Sequence, residues 1–129
     1  MSLNYVMIGA NNVAGTRAFY DAVLPAIGGR VLAEYLPHAV CYGLRGDGRF
    51  WLATPHNEQP ATVGNGAMLG LACDSAAEVR AAHALGLAAG GSNEGDPGPR
   101  PQYGDGFFGA YLRDPEGNKL SLVYLGDLG

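Results

Sequence analysis

The sequence predicts an α+β domain. It comprises two tandem βαβββ modules forming a curved mixed sheet that encloses a cavity, with the helices on the outer face. Three observations predict it. Apolar, strand-like runs fall into two groups, a helical apolar spacing follows the first run of each group, and the order strand, helix, strand, strand, strand occurs twice. Each half alone leaves a sheet with one helix-covered face and one open face, so two halves side by side make a cavity.

The first run, "LNYVMIGA" (3 to 10), is β-rich and ends at Asn11-Asn12, either of which can cap a helix. "VAGTRAFYDAVLPAIGG" then sets Thr16, Phe19, Tyr20, Val23 and Leu24 at helical spacing, and Pro25 with Gly28-Gly29 ends the helix. Three strands follow in "RVLAEYL" (30 to 36), "AVCYGL" (39 to 44) and "RFWLAT" (49 to 54), separated by Pro37-His38 and by Gly46-Asp47-Gly48. A polar loop, 55 to 65, precedes the second group. "GAMLGLACD" (66 to 74) reads as a strand, and "SAAEVRAAHALGLAAGG" opens a helix with Ser75 and Glu78 in capping-box spacing. "GGSNEGDPGPRPQYGDG" (90 to 106) is too rich in Gly and Pro for more than one short edge strand. "FFGAYLRD" and "NKLSLVYL" pair as a hairpin around Asp114-Pro115-Glu116-Gly117-Asn118. The expectation is one domain over 1–129, with module one at about 3–54 and module two at about 66–125.

Composition narrows the function. With 129 residues, 47% hydrophobic and 16% charged, the chain can bury one core. A net charge of -4 without a basic stripe argues against nucleic acid as a partner. The apolar stretch from Gly66 to Cys73 is too short to span a bilayer, and Met1-Ser2-Leu3 lacks the basic start of a secretory signal, so a cytoplasmic protein without a membrane partner is expected. Cys41 and Cys73 each lie in a strand-like run and read as buried thiols.

Three stretches carry a resemblance. "YVMIGANNVAGTRAFYDAVL", "GAMLGLACDSAAEVRAAHALGLAAGG" and "RDPEGNKLSLV" resemble the two module openings and the closing hairpin of the vicinal oxygen chelate superfamily, which includes glyoxalases, bleomycin-resistance proteins and extradiol dioxygenases. The resemblance spans nearly the whole chain and is nearest to small bacterial glyoxalase-like members. It implies a divalent-metal site in the open cavity, with His near the start of each module's first strand and Glu on its last. Here those positions hold Tyr5, Met68 and Ser121, and the fourth, around Phe50-Trp51-Leu52-Ala53, has no carboxylate or imidazole. A phenol, a thioether and a hydroxyl do not suit a hard cation, so no metal cofactor is expected there.

If Tyr5, Met68 and Ser121 point inward, Met7, Gly9, Gly70, Ala72, Lys119 and Val123 share their faces, while Val6, Ile8, Leu69, Leu71, Leu120 and Leu122 meet the helices. The cavity side then suits a small organic ligand with a few polar handles. Met68 and Ser121 are candidate ligand contacts, as are Tyr42 and Trp51 for stacking on an aromatic ligand, with core packing as the alternative for both aromatics. His56 closes "FWLATPH" at the cavity mouth and is a candidate ligand contact, whereas His83 reads as structural and His38 as a turn residue. Arg100, between Pro99 and Pro101 in a long loop, could aim its guanidinium at a carboxylate or phosphate, with the Tyr103 hydroxyl beside it. "RGD" at 45 to 47 is a turn, and the "GNG" and "GDG" glycines lack a dinucleotide-binding context.

Three functions follow. The first is a metal-independent binder of a small molecule. The second is a glyoxalase- or lyase-type enzyme using Tyr5, Arg100, Tyr103 or His56 as acid–base groups, or a metal enzyme with non-standard ligands, and the third is a structural or regulatory subunit whose cavity is vestigial. A phenol with its ordinary pKa of about 10 needs a nearby cation to act as a base near neutrality, and Tyr5 has none adjacent in sequence. The resemblance implies a homodimer.

Overall fold

The computed structural model describes residues 3–126. Module one runs β1 (Tyr5–Gly9), α1 (Val13–Ala26), β2 (Arg30–Tyr35), β3 (Ala39–Gly43) and β4 (Arg49–Ala53). Module two runs β5 (Leu69–Ala72), α2 (Ala76–Ala88), β6 (Ser92–Pro99), a single 3-10 turn (Pro101–Tyr103), β7 (Phe108–Arg113) and β8 (Lys119–Tyr124). Asn12 is the residue that caps α1, its side chain accepting from the Gly15 amide at 3.0 Å. Ser75 caps α2 through the Glu78 amide at 3.1 Å. The Glu78 carboxylate reaches back to the amide of Asp74, one residue before the cap.

The internal repeat is exact in topology. The strand orders are β1-β4-β3-β2 and β5-β8-β7-β6, each with its first strand parallel to its last and the other pairs antiparallel. The strands form two separate four-stranded sheets rather than one enclosing sheet, and the face turned away from the helices stays open, with Tyr5 and Met7 exposed on it. α1 and α2 pack on each other against the opposite faces. Val13, Thr16, Phe19, Tyr20, Val23 and Leu24 give α1 one buried stripe, and each large apolar side chain sealed there contributes roughly 1.5–3 kcal/mol. A single core joins α1, α2, β3, β4, β7 and β8.

Two elements differ from expectation. β5 starts at Leu69, so Met68 lies just before the strand. β6 is eight residues long despite Pro97 and Pro99, because it is an edge strand that bonds only β7, with register shifts between Asn93 and Gly98. No helix among the described residues is long and apolar enough to cross a membrane.

Candidate functional site

Strand register separates the two faces. Tyr5 pairs with Arg49, and Met7 with Trp51, which pairs in turn with Cys41, so these side chains share the open face of module one. Val6 pairs with Phe50, and Ile8 with Leu52, on the helix-covered face. The open face leaves Tyr5 57% and Met7 55% exposed. Tyr35 stacks on Trp51 there, with ring centroids 6.0 Å apart and planes 19° from parallel.

Module two carries an open cavity of about 660 Å³, lined by Met68, Arg100, Tyr103, Phe107, Tyr111 and Lys119 among others. Tyr111, opposite Ser121 on β8, forms its floor. The Arg100 guanidinium lies 5.6 Å from the Tyr111 ring centroid and the Lys119 ammonium 5.8 Å from it, so one ring carries two cations. Arg100 Nη1 donates to the Gly98 and Pro99 carbonyls at 2.9 and 3.3 Å, and Nη2 to the Asp96 carbonyl at 2.7 Å. Glu94, also on this wall, is held by Arg113. Tyr103 packs edge-on against Phe107 at 5.4 Å.

The Asp114-Pro115-Glu116-Gly117-Asn118 turn lies away from this cavity and ties the modules together. Asp114 Oδ1 accepts from the amides of Glu116 and Asn118, and Oδ2 accepts from the Tyr20 hydroxyl of α1 at 2.5 Å and from Asn118 Nδ2. Burial, reinforced by the Asp114 charge, holds the Tyr20 phenol well above its ordinary pKa. The Glu116 carboxylate accepts from the Asn11 and Asn12 amides and from Thr16 Oγ1 at the start of α1. Its burial pushes the pKa up, but these hydrogen bonds together outweigh that and leave it below the ordinary carboxylate value. Asn118 Nδ2 donates to the Gly9 carbonyl, completing the clasp. A second link runs from Arg45 to Asp74 and Glu78 at 2.9–3.0 Å.

Residues 2–122 match the glyoxalase/bleomycin resistance protein/dioxygenase superfamily. This chain belongs to it. A glyoxalase/bleomycin resistance protein from Albidiferax ferrireducens is 38% identical, superimposes with a TM-score of 0.84, and the match covers 96% of this chain and 98% of that one. A glyoxalase-related enzyme from Fulvimarina pelagi (18% identity, TM-score 0.75, 96% and 88% covered) shares the fold. So does a lactoylglutathione lyase from Agrobacterium tumefaciens (20% identity, TM-score 0.68, 95% and 92% covered). No curated protein matches the sequence.

Three of the four positions that the superfamily resemblance assigns to a divalent ion offer a phenol, a thioether and a hydroxyl, a donor set that does not fit such an ion. Tyr5 and Met68 line different cavities, and Ser121 is 3% exposed on β8. At the fourth position Trp51 faces the open side. Among the described residues, no three His, Cys, Asp or Glu side chains cluster closely enough to hold a metal.

The structure sorts the remaining candidates. Arg100, Tyr103 and Met68 come together in the module-two cavity, whereas Tyr5 lines a separate groove between β1 and β5. Tyr42 corrects the expectation of a ligand wall: paired with Phe50, it lies on the covered face, 1% exposed, and donates to Asp21 Oδ1 at 2.7 Å. His56 is exposed in the turn after β4 and lines none of the cavities described here. His83 is buried, its Nε2 3.0 Å from Asn93 Oδ1 and 3.3 Å from the Tyr111 carbonyl. Burial pushes the Cys73 thiol up to about 11 and raises that of Cys41, so neither is primed as a nucleophile. Sequence reasoning missed Tyr111 and Phe107. Alternation against buried Leu112 in "FFGAYLRD" is the signal that places Tyr111 on the open face.

Proposed function

We propose that this superfamily member binds a small organic ligand on its open sheet face, without a metal at the family position and without turning the ligand over. The observation that carries this reading is the module-two cavity, where apolar walls from Met68, Tyr103 and Phe107 meet two cations and a phenol. Its volume falls in the range of small-molecule sites. Separation of Tyr5 from Arg100 and Tyr103 supports binding over catalysis, since the acid–base candidates do not converge on one reacting atom. Exposed Tyr5, Met7, Tyr35 and Met68 favour a homodimer that covers part of the open faces.

The test is a thermal-shift screen over aromatic acids, glycopeptide drugs and glutathione adducts, followed by turnover assays on every hit. Stoichiometric binding with no conversion is the expected result. Conversion of a hit that is lost in Tyr5→Phe would establish the glyoxalase- or lyase-type alternative instead. A stoichiometric transition metal in protein purified without chelator would overturn the metal-free part, and sedimentation as a monomer at all accessible concentrations would overturn the dimer.

A further inference from the structure

We infer that the ligand of the module-two cavity is a planar organic acid whose carboxylate is taken by Arg100 and Lys119 across the Tyr111 ring. This rests on the binding reading above and gives it a chemical class. The chain is acidic overall, with a net charge of -4, yet this wall concentrates positive charge. The acidic side chains nearest Arg100 in the chain already have partners, and Asp105 lines a neighbouring cavity instead. Glu94 is paired with Arg113, and Asp96 Oδ1 accepts from Asn93 Nδ2 at 2.7 Å. Arg100 and Lys119 are in no ion pair among the described residues.

The guanidinium is built into place rather than left on the surface. Three of its five N–H groups are used on the carbonyls of Asp96, Gly98 and Pro99. The remaining two, Nε–H and one on Nη2, have no partner among the described residues and are enough for one carboxylate. The shelf beneath it is made by glycines. A Cβ at Gly95 would sit 2.9 Å from Tyr111 Cδ2 and 3.4 Å from Arg100 Nη2, and one at Gly98 would sit 3.3 Å from Nη1. A side chain at Gly95 would collide with the Tyr111 ring, and one at either position would crowd the guanidinium. Tyr103 and Phe107, edge-on to each other, wall the same cavity and suit a flat, apolar body attached to the acid group.

The decisive comparison is isothermal titration of the intact protein with 2-naphthoate and with 2-naphthamide, which share a ring system and differ in charge. The carboxylate should bind at least about tenfold tighter than the amide, as expected for a charge-assisted contact. Arg100→Gln and Lys119→Gln should each weaken the carboxylate by about tenfold while changing the amide by less than about threefold. Lys119 lies on β8 rather than in the loop, so its variant keeps the test valid if Arg100→Gln disturbs the loop. Equal affinity for acid and amide would overturn the carboxylate assignment and leave the cavity reading standing. No naphthoate binding at millimolar concentration would also overturn it, and the broader reading would then depend on neutral hits from the thermal-shift screen. Displacement of naphthoate by an equal concentration of inorganic phosphate would reduce the site to a bare anion patch and overturn the organic-acid class.

Discussion

Asp114 gathers four hydrogen bonds on a carboxylate that is 3% exposed. Replacing it with Ala leaves the Tyr20 hydroxyl and the Asn118 amide groups without their acceptor in a buried setting. Asp114→Ala should therefore cost about 3 kcal/mol, and Tyr20→Phe, which removes one donor, about 1.5 kcal/mol. Urea unfolding checks both as a lower midpoint at unchanged slope, and an Asp114→Ala variant as stable as its parent would remove the clasp from the account. Glu116 adds a pH term. Its folded pKa is depressed, so its contribution is fully present above the unfolded glutamate value of about 4.3 and is lost as pH falls through the folded value. Glu116→Gln should flatten this acid limb in urea titrations between neutral and acid pH. At this scale the sequence was partly legible. Met68, Arg100 and Tyr103 line one cavity, whereas the face that Tyr42 takes could not be read. An aromatic residue in a strand does not declare its face, and only its pairing with Phe50 decides it.

At the level of elements, α2 depends on a glycine in its interior. A Cβ at Gly86 would meet Leu112 Cδ1 at 2.6 Å and Phe19 Cε2 at 3.0 Å, where α2 presses on β7 and α1. Helix propensity alone would reward Gly86→Ala by about 1 kcal/mol. Overpacking costs about 1–3 kcal/mol, so the variant should lose stability on balance, with a lower thermal midpoint as the readout. A gain in midpoint would mean that the helix pair slides apart at little cost. The strands and helices were legible because alternation and capping repeat in both modules. The edge strand in 90–106 was legible too, but not its eight-residue length, since "SNEGDPGP" has the composition of a loop. Its place at a sheet edge, bonded on one side only, is what lets Pro97 and Pro99 sit within a strand of that length. Its glycines also serve the Arg100 shelf, a purpose visible only once β7 lies beside them.

The molecule as a whole should behave as one cooperative unit. Its two sheets are not hydrogen-bonded to each other, yet one core, the Asp114 clasp and the Arg45 ion pairs cross between them. The only tryptophan, Trp51, lies in module one, whereas far-UV circular dichroism reports both modules. The two signals should give one coincident urea transition. A tryptophan midpoint offset from the circular dichroism midpoint would show that the modules unfold separately. Overall duplication and the open face of each half were legible, but the separation of the two sheets was not, because it depends on how β1 and β5 meet. The hairpin turn at 114–118 has a further meaning for comparisons between proteins. Its acid and amide side chains bond backbone and side-chain groups of both halves and none of them lines the module-two cavity. A chain bearing this turn thereby advertises how it is assembled, and what it binds must be read from other residues.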